Sequence, residues 1–122
     1  MIPYHSGPED VVHEVELGVI LNDKDSSSSW LDRIGAYVLL LDMTNKVHLG
    51  SAIQGGTPWY KAKVQRGFLV LGDLIRKEEI ADPYNVELEL IINGEVRQKD
   101  ITGNMNYKID EMINYMEQEG SL

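Results

Sequence analysis

Residues 11–21 read Val11-Val12-His13-Glu14-Val15-Glu16-Leu17-Gly18-Val19-Ile20-Leu21. Side chains on a strand alternate between its two faces. Val11, His13, Val15, Leu17, Val19 and Leu21 therefore share one face, and Val12, Glu14, Glu16, Gly18 and Ile20 share the other. The pattern predicts a strand with one apolar face and one face carrying two carboxylates at its middle. Residues two apart on a strand lie about 7 Å apart. Carboxylates that close repel unless a cation or water lies between them. Ligands made only of oxygen suit Mg²⁺, Ca²⁺ or Mn²⁺. An isolated E-x-E pair is more often the solvated face of an amphipathic strand, so the pair alone leaves both readings open.

Outward from this strand, Asn22 to Ser29 is a polar loop. Ser29 is placed to cap a short helix through Leu31 and Arg33, with Asp32 as the capping-box acid. Ile34 to Met43 is almost wholly apolar and reads as a strand buried on both faces. Asp42 stands at its end, where a carboxylate needs a partner or caps a turn before Thr44. A short helix over part of Thr44 to Gly56 ends at Gly55-Gly56, a pair more suited to turning the chain than to binding phosphate. Phe68 to Ile75 is another apolar segment, and Ala81-Asp82-Pro83 marks a turn. Val86 to Ile92 alternates, with Glu87 and Glu89 outward. Asn93-Gly94 then signals a hairpin returning over Glu95 to Ile101. Asn106 is expected to cap a last helix with Ile109, Met112, Ile113 and Met116 on one stripe. The sum is a strand-rich α+β fold with short helices.

The chain has 122 residues, enough for one domain with a real core. With 20 acidic against 11 basic residues its net charge is −9. Such a chain repels nucleic-acid phosphates and anionic membranes, so neither is an expected partner. It has no cysteine, which removes disulfides, thiolate nucleophiles and sulfur-bound zinc. The apolar runs are too short to span a bilayer, and residues 1–10 carry no readable targeting signal. Asp23, Asp25 and Ser27 imitate a calcium loop, but Ser28 and Ile34 stand where it needs glycine and glutamate. Among His5, His13 and His48, His13 lies on the face opposite the acids, and a core or interface role is expected for it. Lys63 cannot be told apart from Lys61 by composition.

Taken together, several segments resemble the fumarylacetoacetate hydrolase superfamily, in its acylpyruvate hydrolase and oxaloacetate decarboxylase branch. They are His13-Glu14-Val15-Glu16-Leu17-Gly18-Val19, Gly35-Ala36-Tyr37 and Leu41-Asp42-Met43-Thr44. Pro58-Trp59, Ala62-Lys63, Asp82-Pro83, Asn93-Gly94-Glu95 and Arg97-Gln98 continue the series. The resemblance implies that residues 1–122 form a partial β-roll domain of that type. It implies Glu14, Glu16 and Asp42 as ligands of Mg²⁺ or Mn²⁺, Lys63 as the active-site lysine, and Lys46 in substrate binding. The implied activity is metal-dependent hydrolysis, decarboxylation or tautomerisation of small 2-oxo acids such as acylpyruvates and oxaloacetate. A homodimer or a larger assembly, in mitochondria or cytoplasm, is implied with it.

There are departures. Where relatives carry an Arg-Asp pair and then a glutamine, this chain has Asn45-Lys46-Val47-His48-Leu49; Val64-Gln65-Arg66-Gly67 replaces a Ser-Phe-Asp type of stretch. The family's N-terminal lid, with a water-activating His-Glu pair, and its Thr-Gly-Thr-Pro segment are expected to lie outside these residues. The alternative reading is thus a non-catalytic relative serving as a structural subunit.

Overall fold

The computed structural model describes residues 10–22 and 29–120. The calcium-loop imitation, His5 and most of the entry segment lie outside them. The elements run β1 (Val11–Leu21), α1 (Trp30–Arg33), β2 (Ile34–Asn45), α2 (Lys46–Gly55), α3 (Tyr60–Lys63) and β3 (Leu69–Arg76). β4 (Glu87–Ile92), β5 (Glu95–Ile101) and α4 (Ile109–Gln118) follow. β1, β2 and β3 form an antiparallel sheet in that order, and β4 and β5 form a separate hairpin.

Local chemistry explains most boundaries. The Ser29 hydroxyl accepts from the Asp32 amide at 3.2 Å and opens α1 as expected. Asn45 opens α2 in the same way, its side chain accepting from the His48 amide at 2.9 Å. α2 stops at Gly56, whose φ of 59° is the left-handed conformation that favours glycine. The hairpin turn has Asn93 at φ 52° and Gly94 at φ 83°, the pair of positive values that matches the twist of the two strands.

Three expectations change. β2 runs on to Asn45, so Asp42 lies inside the sheet rather than at the strand's exit. β2 is not buried throughout on both faces, because Leu39 is 45% exposed. α4 starts later than Asn106 implies. Its cap position is Lys108, whose amide donates to the Glu111 carboxylate at 2.7 Å, so the first turn is closed from downstream.

The core is built from Ile34 and Tyr37 against Ile109 and Ile113 of α4, with Leu17, Val19, Trp30 and Tyr84 packed around them. Leu17, Val19 and Tyr37 belong to the sheet face opposite the acids. α4 is fastened there by Tyr84, whose hydroxyl accepts from the Ile109 amide at 3.1 Å, and by an Arg33–Glu117 ion pair. Met112 lies 42% exposed, so the buried stripe of α4 rests on Ile109 and Ile113. The acid face of β1 is left for other work.

Candidate metal centre

Glu14 on β1 and Asp42 on β2 are cross-strand partners, so their side chains leave the sheet side by side. Glu16, two residues along β1, shares that face. One carboxylate oxygen from each of the three lies within 4.8 Å of the others. Lys63 reaches the same place from the last turn of α3, which is seated by Ala62, 1% exposed. Its Nζ donates to Asp42 Oδ2 at 2.6 Å and to Glu14 Oε2 at 3.0 Å. The structure therefore brings Glu14, Glu16, Asp42 and Lys63 together, and separates Lys63 from its exposed neighbour Lys61.

Three carboxylates against one ammonium leave negative charge uncompensated. Burial pushes the Glu16 carboxyl above its ordinary value, and the charges of Asp42 and Glu14 push it the same way, with Lys63 opposing them. At Lys63, burial works against the charged form, but hydrogen bonds to Asp42 and Glu14 outweigh it and raise its pKa. The donor set fits a hard divalent cation: oxygens only, from three acids, on rigid paired strands. The ammonium of Lys63 already occupies the position of a cation between two of the acids.

Lys46 is not part of this cluster's contacts. It opens α2 with its side chain exposed, and among the described residues it forms no ion pair. His48 is exposed, with Nδ1 3.1 Å from the Lys61 carbonyl oxygen. His13 is half-buried on the opposite face, and its Nδ1 has no partner among the described residues. Gln98 is the residue whose importance the spacing did not reveal. Its amide makes two hydrogen bonds to the backbone of Val15, at 2.7 and 2.9 Å, between the two acids of β1. The sequence signal was only its place in the Arg97-Gln98 pair, which named no partner.

Comparison with known proteins bears on this geometry. The family model described as fumarylacetoacetate (FAA) hydrolase, C-terminal, matches residues 1–122. A mitochondrial oxaloacetate tautomerase of Schizosaccharomyces pombe is 44% identical over 123 residues, covering 94% of this chain and 56% of that protein. A solved structure of a Yersinia pestis CO92 protein, assigned to the fumarylacetoacetate hydrolase family, superposes with a TM-score of 0.81. It is 33% identical, over 88% of this chain and 52% of that one. The fumarylpyruvate hydrolase of Pseudomonas aeruginosa, solved with Mn²⁺ and pyruvate, shares the fold at TM-score 0.82 and 21% identity. It covers 93% of this chain and 50% of its own. This chain thus spans about half the length of the relatives it matches. No helix among the described residues is long and apolar enough to cross a membrane.

Proposed function

Because this chain belongs to the fumarylacetoacetate hydrolase family, we propose that it forms the metal-binding part of an enzyme acting on small 2-oxo acids. Glu14, Glu16 and Asp42 hold Mg²⁺ or Mn²⁺, and Lys63 is the catalytic lysine. The observation that carries this is the convergence of three carboxylates within 4.8 Å, two of them joined by Lys63.

Enol–keto exchange of oxaloacetate is the favoured reaction, since it is the activity named for the S. pombe relative. Decarboxylation of oxaloacetate and cleavage of acylpyruvates pass through a similar enolate. The cation, when bound, supplies Lewis-acid polarisation of the 2-oxo group. The carboxylates keep it on a rigid sheet. Lys63, whose Nζ donates to Asp42 and Glu14, serves as an ammonium donor to the oxygen on which enolate charge develops. Acylpyruvate hydrolysis also needs an activated water, and no group for that task is assigned among Glu14, Glu16, Asp42 and Lys63. Lys46 offers a substrate carboxylate one ammonium in place of an arginine's two-pronged fork, so retention of substrate is expected to be weak.

The mitochondrion is the proposed compartment, as in the relative's name, with the cytoplasm second. A second copy or a larger assembly is the proposed partner. The exposed Leu69, Leu71 and Leu74 on edge strand β3 support it. Lys46, exposed and without an ion pair among the described residues, favours the alternative, a structural subunit without catalysis.

The test follows the ultraviolet absorbance of the oxaloacetate enol with Mg²⁺ or Mn²⁺, and with chelator. Metal-dependent acceleration that chelator and Glu16→Gln both remove is expected. No acceleration by a chain that demonstrably binds Mn²⁺ would hand the case to the structural subunit.

A further inference from the structure

We propose that Gln98 is a positioning residue for the candidate metal centre, fixing Glu14 and Glu16 by pinning the backbone of the residue between them. This rests on the metal-centre reading above. Among the described residues β1 is paired with β2 on one side only. The other side of such a strand presents N–H and C=O groups that need partners. At Val15 both are met by a single side chain. The Val15 N–H donates to Gln98 Oε1 at 2.7 Å, and Gln98 Nε2 donates to the Val15 carbonyl at 2.9 Å. A primary amide carries an acceptor and a donor on one carbon. Gln98 therefore does for this one residue what a neighbouring strand does along a whole edge.

The location gives the tether its consequence. The Val15 side chain, 4% exposed, points away from the acids, so it cannot orient them itself. Its backbone can, because the Cα atoms of Glu14 and Glu16 are its immediate neighbours. Glu14 is also held by its register with Asp42, but Glu16 lies across from Leu40 and has no polar partner there. Mutual repulsion of the acids favours any twist of β1 that spreads them. Two hydrogen bonds at Val15 oppose that twist. The basic side chains of β5 are spent within the hairpin: Arg97 on Glu95, and Lys99 on Glu87 and Glu89. Among the described residues Gln98 is the hairpin's one hydrogen-bonded link to β1.

The experiment measures Mn²⁺ dissociation constants by electron paramagnetic resonance, with no substrate present. The proteins are the unaltered chain, Gln98→Leu, Gln98→Asn, Lys99→Met and Glu14→Ala. Hydrogen exchange at the Val15 amide is read on each. Outer partners that orient metal ligands typically set affinity by about 10-fold or more. Gln98→Leu is expected to weaken Mn²⁺ binding by about that factor and to speed Val15 exchange. Gln98→Asn keeps the amide but is one methylene too short, so it is expected to do the same. It carries the test if circular dichroism shows the leucine variant unfolded. Lys99→Met is expected to match the unaltered chain, and Glu14→Ala to lose the ion. Unchanged affinity in both Gln98 variants, beside normal binding by the unaltered chain, would overturn the positioning role alone. So would an equal loss in Lys99→Met. Absence of Mn²⁺ binding by the unaltered chain, or binding indifferent to Glu14→Ala, would overturn the metal centre and this role together.

Discussion

Two strands of the molecule carry the same short pattern. Glu14-Val15-Glu16 lies on β1 and Glu87-Leu88-Glu89 on β4; Lys99 meets both hairpin glutamates, whereas Lys63 meets Glu14 and Asp42. In the hairpin the lysine is local. Lys99 is the cross-strand partner of Glu89, and its Nζ sits 3.0 Å from both Glu87 and Glu89. On β1 the lysine comes from 49 residues away, and a third carboxylate, Asp42, joins from the next strand. In the hairpin two carboxylates share one ammonium, which leaves one negative charge over. The β1 pair belongs to a three-acid cluster with one ammonium and two charges to spare, and Glu16 is pushed upward by burial and by the charges of Asp42 and Glu14. Two glutamates at spacing two thus say little by themselves. A third acid across the sheet makes the difference.

The largest expected effect separates the two pairs outright. At about 100 times its dissociation constant, an ion that binds only the folded state adds about 2.7 kcal/mol of stability. Mg²⁺ or Mn²⁺ is expected to raise the melting temperature accordingly. The double variant Glu14→Gln/Glu16→Gln is expected to lose the response, and Glu87→Gln/Glu89→Gln to keep it. Equal shifts in both doubles would erase the distinction. Next come the lysines. Lys63→Met is expected to lower kcat for oxaloacetate exchange by on the order of 100-fold, the usual cost of removing a donor to developing charge. Lys99→Met is expected to leave kcat unchanged, and steady-state kinetics with saturating metal decides.

Two glycines sharpen the comparison in a different way. Gly18 sits on the acid face of β1, where an added Cβ would meet Val38 Cγ1 at 2.7 Å and Leu40 Cδ2 at 2.8 Å. Gly18→Ala is expected to cost about 1–3 kcal/mol by overpacking, read from urea unfolding. Gly94 has open space around it but a φ of 83°. Gly94→Ala is expected to cost about 1–2 kcal/mol through the backbone alone. A Gly18→Ala chain as stable as the parent would mean that β1 and β2 lie less closely together than described.

How much of this was legible follows from what each signal depends on. The alternation of Val11 to Leu21, the Ser29 cap and the Asn93-Gly94 turn are local, since neighbours in sequence decide them, and the structure has all three. The acids were legible as a pair because strand spacing puts Glu14 and Glu16 on one face. That Asp42 stands opposite Glu14 depends on register, which the spacing did not fix; the family resemblance supplied that grouping. Lys63 was indistinguishable from Lys61 because a four-residue helix has no periodicity to read. Which lysine turns toward the sheet depends on Ala62 packing beneath. The start of α4 was missed because Glu111, not Asn106, closes its first turn. Gln98 stayed silent because its partner is a backbone group 83 residues away.

The smallest effect is a titration, and it sets a carboxyl held by neutral donors at the hairpin's end against one set among other acids. Asp100 at the end of β5 accepts from the Asn104 side-chain amide at 2.6 Å and from the Ile101 amide at 2.8 Å. Both bonds favour the ionised form, the Asn104 bond more strongly, so the carboxyl titrates below its ordinary value of 3.8. The Glu16 carboxyl, pushed up by desolvation and by the charges of Asp42 and Glu14, is displaced in the opposite direction. A carboxyl with a depressed folded pKa contributes stability that is present above its unfolded pKa and lost as pH falls through the folded one. For Asp100 that window lies below 3.8. Carboxyl-carbon NMR is expected to place the Asp100 midpoint below 3.8, and Asn104→Ala to move it back up toward that value. Asp100 is fully exposed, so the stability change is expected to be small and the midpoint is the sensitive readout. A midpoint at or above the ordinary value would mean that the bonds from Asn104 and Ile101 do not hold the ionised carboxylate.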